Sequence, residues 1–291
     1  MARPAQSARP DVHSRITQTI IAQLEAGVRP WTQPWTSGTP VTRPLRHDGT
    51  TYSGVNILLL WSQALSRGYR SPTWMTFRQA LSLGAHVRRG ESGATVVYAN
   101  QIVRTEADED GADRKQRIPF LKAYTVFNME QIEGLPDRYR HSSPEPVNPD
   151  ARRAEAERFF AGLGAHIRHG GSAAFYAPAS DHVQMPAFET FRDAGTYYAT
   201  LGHECVHWTG HGSRLARDFS GAARAYAREE LVAELGAAFL CADLGLELEP
   251  REDHAAYLGP WLEVLKVDKR FLVSAAAHAQ RAVAWLHQRQ V

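Results

Sequence analysis

His203-Glu204-Cys205-Val206-His207 sets two imidazoles four residues apart, with a glutamate next to the first. On an α-helix, positions i and i+4 project from one face, so this spacing lets both rings reach a single metal ion. Glu204 stands beside the first ligand and points toward the water that such an ion would bind. A carboxylate there can accept a proton from that water and hand it to a leaving amine. The five residues alone carry limited weight. With 13 His in 291 residues, chance supplies a His-Glu-x-x-His in roughly one such chain in thirty. The reading therefore turns on whether a third ligand lies downstream.

Residues 228–235 read Arg-Glu-Glu-Leu-Val-Ala-Glu-Leu, with Glu230 and Glu234 four apart and Leu231, Leu235, Ala238 and Ala242 on an adjoining apolar face. A second helix that gives one carboxylate to zinc, and another a turn later to a ligand histidine, is similar to the pattern of glutamate zincins such as thermolysin. The expectation is Glu230 as third ligand and Glu234 as acceptor for an imidazole N–H. Glu229 competes for the ligand position, because a one-residue change of helix phase exchanges the two. His211 is the other rival. On one continuous helix it stands about 12 Å from His203, too far to share an ion, but Gly210 ends the helix and lets it turn back. The segment 181–186 reads as a strand closed by Pro186; likeness to zincins, in which an edge strand beside the active helix pairs with an extended peptide substrate, implies that place for it. Tyr257 and His254, on a later helix, are candidate donors to a tetrahedral oxyanion, with packing or surface placement as the alternative. Cys205 faces away from the ligands and is expected to be buried and inert.

The first half contains no catalytic cluster. Its signal is arginine interleaved with aromatic rings: Arg29, Trp31, Trp35, Arg43, Arg46, Tyr52, Trp74, Arg78, Arg88, Arg89 and Tyr98. Single-stranded nucleic acid is bound by positive charge along its backbone and by flat rings on which bases stack. Charge agrees with this division. Residues 1–104 hold 12 Arg, no Lys and four acids, net +8, whereas residues 141–291 hold 15 basic and 19 acidic residues, net −4. The competing reading places the tryptophans in a core and the arginines on a solvated face.

Around these motifs the chain reads as α+β in two domains. Asp11 caps a helix whose residues Val12, Ile16, Ile20 and Leu24 share a face. Helices at 56–67 and 76–83 follow, then strands at 94–105 and 118–128 joined by an acidic hairpin loop at 106–113. Four prolines in 136–150 mark a linker. This gives a DNA-binding domain at 11–136, a linker at 137–150 and a mostly helical metallopeptidase domain with a small sheet at 151–291. In the second domain the expected helices are 151–163, 188–194, 196–209, 223–244, 252–267 and 269–288. Short strands are expected at 165–168, 174–177 and 182–185. No run approaches the roughly 18 apolar residues that span a bilayer, no secretory signal is visible, and two cysteines suit a reducing cytoplasm.

The segments 27–35, Tyr52-Ser53-Gly54-Val55-Asn56, Trp74-Met75-Thr76-Phe77-Arg78-Gln79-Ala80, Arg89-Gly90-Glu91-Ser92-Gly93 and 127–132 resemble the N-terminal domain of ArdC-type antirestriction proteins, which is similar to that of TraC-type primases. Residues 197–204 and 229–236 resemble the zincin-like, SprT-like domain that follows in the same proteins. The resemblance covers about residues 11–288. It implies a plasmid-encoded bacterial protein that binds single-stranded DNA entering a recipient cell during conjugation and protects it from restriction. It also implies one divalent metal, with Zn²⁺ expected and Mn²⁺ or another divalent ion as the alternative, and leaves open whether a host protein is cleaved. The rival function is a DNA-coating protein whose metal domain is structural or binds a partner.

Overall fold

Asp11 accepts a hydrogen bond from the Ser14 amide (2.9 Å) and so starts α1 (Val12–Glu25), as its short acceptor side chain predicts. The computed structural model describes residues 11–31, 42–107, 113–139, 149–218, 223–246 and 255–290. After α1 come β1 (Leu45–Arg46), α2 (Val55–Arg67), β2 (Thr73–Met75), α3 (Phe77–Ser82), β3 (His86–Val87), β4 (Ala94–Ala107), β5 (Asp113–Asn128) and β6 (Ile132–Glu133). Gly68 ends α2 in the left-handed conformation (φ 70°), and Thr76 with Gln79 forms a capping box at α3.

One sheet has the order β1-β2-β5-β4, with β1 and β2 parallel and the other pairs antiparallel, and β3 pairs with β6 in a separate ribbon. The β4–β5 hairpin is paired from Ala94↔Val126 to Ala107↔Asp113. It runs into the stretch expected to be loop, because backbone pairing continues past the alternating apolar segment. Asn56, at the start of α2, clamps the outer edge of β4 by exchanging two hydrogen bonds with the Val97 backbone (2.7 and 2.8 Å).

The second half contains α4 (Pro149–Gly162), β7 (His166–His169), β8 (Phe175–Ala177), β9 (His182–Met185), α5 (Ala194–Thr209), α6 (Ala223–Asp243), α7 (Ala255–Val267) and α8 (Phe271–Gln288). In place of the helix expected at 188–194 there is a 3₁₀ turn, Phe188–Thr190. The Asp193 carboxylate caps α5 by accepting from the Thr196 amide (2.7 Å), and Phe191 and Asp193 are extended. The sheet order is β7-β9-β8. The expected edge strand at 182–185 is therefore central, paired on both sides, and β8 is an outer strand instead. Within the expected linker, Asp137–Tyr139 forms a 3₁₀ turn whose buried Tyr139 donates to the His47 carbonyl (3.0 Å). Residues 140–148 lie outside the described residues.

The core does not stop between the halves. One continuous cluster runs from Ile16, Ile20, Leu58 and Trp61 through Phe239 and Leu240 to Ala275, Ala279 and Ala282. Alanines on α8 let it lie close to α6, and each larger apolar side chain buried here contributes about 1.5–3 kcal/mol. Polar contacts follow the same seam. The Thr17 hydroxyl donates to the Lys269 carbonyl (2.8 Å), and Lys266 pairs with Glu25 (2.6 Å). Arg43 grips Asp243 with two nitrogens (2.5 and 2.6 Å) and donates to Gln280 (2.7 Å). Among the described residues, no helix is long and apolar enough to cross a membrane.

Candidate metal centre

The Asp193 cap sets the phase of α5, which brings His203 and His207 onto the face turned toward α6. Gly236 is what lets α6 come close: a Cβ at that position would lie 2.7 Å from a Val206 methyl. Glu230, on the same helix and N-terminal to Gly236, then meets the two rings. The Nε2 atoms of His203 and His207 are 3.1 Å apart, and each lies 3.5 Å from a Glu230 oxygen. Bonds of about 2.0–2.1 Å from a tetrahedral ion imply ligand atoms roughly 3.3–3.4 Å apart. The donor set and its spacing fit one divalent ion, and among the described residues these three form a group that could hold it. All three are at least largely buried, with His203 at 5% and Glu230 at 7% exposure.

The rivals for the third position are placed elsewhere. Glu229 accepts at His207 Nδ1 (3.1 Å) and is itself held by Arg217 Nε and Nη2 (3.0 and 2.8 Å). Arg217 also donates to the Val206 carbonyl and the Thr209 hydroxyl, tying Glu229 to the end of α5. Burial pushes the Glu229 carboxyl up, but the bonds from His207 and Arg217 outweigh it and hold it below the usual carboxylate range. Burial acts on His207 in the opposite direction, toward the neutral ring. The bond to Glu229 and the charges of Glu204, Glu229 and Glu230 overcome it and raise the ring's pKa. His211 turns away, with Nδ1 2.8 Å from the Ser213 hydroxyl.

Glu204 is 4% exposed and Glu234 3% exposed. A Glu234 oxygen lies 3.9 Å from His203 Nδ1, the ring nitrogen turned away from the three-ligand cluster. Cys205 is fully buried and its thiol is pushed up by that burial, as an inert side chain requires. His254 lies outside the described residues, and of Tyr257 only the backbone, in the first turn of α7, is described.

Beside the centre, β8 is fastened to the end of α5 by a cluster that was not read from sequence. Arg214 bonds both Asp181 oxygens and the Tyr176 hydroxyl (2.5–3.1 Å), donates to the Trp208 carbonyl, and stacks over the Trp208 ring at 4.2 Å. The Arg214 guanidinium holds the Asp181 carboxyl at about 2. A lowered folded-state pKa gives stability that is complete above the ordinary value near 3.8 and lost as pH falls toward about 2. Asp181 is 41% exposed, so solvent screens the pair to under about 1 kcal/mol. Urea unfolding at pH 5 and pH 2.5 should show a smaller stability difference for Asp181→Asn than for wild type. Asp181 has φ 47°, a conformation asparagine also tolerates.

The candidate DNA contacts divide by burial. Trp31 and Trp74 are each 1% exposed, and Tyr52 and Arg43 are 7% exposed. Trp31 packs edge-on against Trp261, Trp74 against Tyr69, and Tyr52 lies beneath the Arg46 guanidinium at 5.1 Å. These four are core or seam residues: a ring buried on both faces offers no base a platform, and Arg43 is already paired. Arg29 is half-buried, whereas Arg46, Arg78, Arg88 and Arg89 are exposed, with Arg88 also paired to Glu91 (2.8 Å). Trp35 lies outside the described residues. Tyr98 and Tyr124 are exposed at 50% and 40%. Strand register puts Tyr98 opposite Lys122 and Val96 opposite Tyr124, so Tyr98, Lys122 and Tyr124 share one face of the hairpin. Tyr98 is among the rings read from the sequence; the alternation of Lys122 and Tyr124 about Ala123 was the signal that could have found the other two.

Two histidines on one helix and a carboxylate on the next, packed on a small mixed sheet, define a zincin-like metallopeptidase domain, and residues 154–278 match the family model of that description. Residues 10–127 match the model of the N-terminal domain of the anti-restriction factor ArdC. The chain belongs to the ArdC antirestriction family. Its fold matches crystal structures of the antirestriction ArdC protein from plasmid R388. The metal-free form has a TM-score of 0.82 at 42% identity, covering 97% of this chain and 98% of that one. The Mn(II)-bound form has a TM-score of 0.80 at 43% identity, covering 97% and 99%. Protein y4eC of Sinorhizobium fredii is 46% identical over 96% of this chain and 92% of its own length. A DNA primase TraC of Escherichia coli is 38% identical over 92% of this chain, which spans only 26% of that primase. The zincin-like domain implies a divalent metal, and the His203, His207 and Glu230 cluster is suited to hold it.

Proposed function

We propose that the protein binds single-stranded DNA through its N-terminal half and protects it from restriction, and that its C-terminal half is a zinc peptidase. The single observation carrying the peptidase reading is the buried His203, His207 and Glu230 cluster, with Glu204 on the same helix between the two histidines. A divalent ion held there would supply Lewis acidity to a peptide carbonyl and to water. The chain's own part is then specific. Glu204 takes a proton from the attacking water and returns it to the departing amine. Glu229, braced by Arg217, fixes the orientation of the His207 ring. β8, as an outer strand beside α5, is where an extended substrate would pair. The protein so described acts in a bacterial cytoplasm, on DNA that arrives by conjugation.

For DNA, the support is the basic, lysine-free segment 1–104 together with the exposed Tyr98, Lys122 and Tyr124 face of the hairpin. The exposed Arg46, Arg78, Arg88 and Arg89 supply backbone charge in this reading. Stacking on an aromatic side chain contributes about 1–3 kcal/mol per base. Tyr98→Ala with Tyr124→Ala should therefore weaken binding to an unstructured oligonucleotide at least tenfold in gel-shift titration. Arg78→Ala with Arg89→Ala should reduce the salt slope by about 0.7 per lost phosphate contact. Unchanged affinity in the tyrosine pair would remove the hairpin from the interface. A wild-type protein with no salt-dependent preference for single strands would end the DNA reading.

A further inference from the structure

The metal cluster lies wholly in the second half of the chain, yet one of the groups next to it is held from the first half. Trp31, just before residues outside the described set, donates its indole N–H to Glu234 Oε1 at 3.0 Å. Both side chains are buried, at 1% and 3% exposure. The other Glu234 oxygen, Oε2, is the one 3.9 Å from His203 Nδ1. His203 Nε2 faces His207 and Glu230, so when that nitrogen is a ligand, Nδ1 carries the ring proton and needs an acceptor. Glu234 is the carboxylate in position to accept it, and the indole fixes which way that carboxylate is turned.

The rest of the neighbourhood holds Trp31 still. Its ring meets Trp261 edge-on, with centroids 6.2 Å apart, and Trp261 donates to the Ala227 carbonyl on α6 at 3.0 Å. The α6 helix also carries Glu230 and Glu234. The indole is therefore locked against the same helix that supplies the third ligand. A tryptophan serving only as core filler needs no buried carboxylate on its nitrogen, and a backbone carbonyl would satisfy it, as Ala227 does for Trp261.

We propose that Trp31 is a positioning residue of the metal centre, acting through Glu234 on His203, so that the N-terminal half completes a site whose ligands all belong to the C-terminal half. The proposal rests on the three-ligand reading given above. Removing an outer hydrogen-bond partner of a ligand typically weakens metal binding about 10- to 100-fold. A partner one bond further out acts less strongly.

The test is Zn²⁺ affinity of the full-length protein, measured by competition with a chromophoric chelator. Visible spectra of the Co²⁺-loaded protein provide a second readout. Glu234→Gln should weaken Zn²⁺ binding at least tenfold, and Trp31→Phe should weaken it about three- to tenfold and shift the Co²⁺ bands. In the Glu234→Gln background, Trp31→Phe should change affinity less than twofold, because the indole has lost the group it acts through. Equal losses in both backgrounds would mark Trp31 as packing only and overturn the proposal. So would an unchanged affinity in a folded Trp31→Phe protein. Where that variant does not fold, Trp31→benzothienylalanine keeps the ring shape and removes the N–H, and the same outcomes apply. Failure of the underlying ligand reading looks different. In that case wild type binds no Zn²⁺, or His203→Ala and Glu230→Gln bind it as tightly as wild type does.

Discussion

On the proposed peptidase reading, Glu204→Ala is expected to bind metal as wild type does and to lose hydrolysis. Glu204 is absent from the three-residue group that can hold the ion, so zinc content per chain, measured by atomic emission, should stay near that of wild type. Loss of a positioned general base costs about 10²–10⁴ in rate, and that loss should appear as disappearance of any zinc-dependent cleavage of the protein's target. The same variant separates the two functional readings in a conjugation assay against a restricting recipient. If protection falls with Glu204→Ala, proteolysis is part of the protective act. If protection is equal to wild type, the N-terminal half suffices and the metal domain serves another role. Zinc-dependent cleavage that survives the substitution would sink the assignment of Glu204 as base.

The second large effect is expected at Arg43. Its guanidinium is 6% exposed, bonds both oxygens of Asp243, donates to Gln280 and lies over the Phe239 ring at 5.2 Å. Truncating one member of a buried pair costs about 3–5 kcal/mol, because the other charge stays buried. His287 also contacts Asp243 (2.9 Å), and Asp243 is 20% exposed, which places the cost near the lower end. Arg43→Met should therefore lower Tm by about 6–10 °C for a chain of this size. Arg43→Lys should recover little, since an ammonium cannot reproduce the two parallel bonds. Arg43→Met with Asp243→Met should regain part of the loss. DNA affinity of folded Arg43→Met should match wild type. A drop in DNA affinity without a drop in Tm would return Arg43 to the surface role that its position among arginines and aromatics suggests.

That contrast shows how far the sequence could be read. Helix boundaries at α1, α2 and α3 followed from local chemistry: the Asp11 acceptor, the left-handed Gly68 and the reciprocal Thr76 and Gln79 bonds. The same holds for Glu230 as the carboxylate that meets His203 and His207, since it needed only helix phase and one close approach at Gly236. Reading residue roles in the first half failed where the outcome depended on partners 200 residues away. Trp31 and Arg43 have the side chains a nucleic-acid surface uses, and nothing local distinguishes them from Arg78 or Arg89. Both are instead turned onto buried or part-buried partners in the second half, Glu234 and Asp243 among them. The strand at 182–185 was found but misplaced for a similar reason: its local pattern does not say whether a neighbour pairs on one side or both. The two-residue strands β1, β3 and β6 escaped notice because segments so short have no period to detect.

The apolar cluster that passes without a break from α1 and α2 into α6 and α8 also bears on whether either half can stand alone. A gene break near residue 140 would leave two products, each with a raw face of Ile, Leu, Trp and Ala where the other had been. Both products would invite aggregation. The seam therefore couples the two halves: a substitution that enlarges or empties an apolar position on one side disturbs the packing of the other.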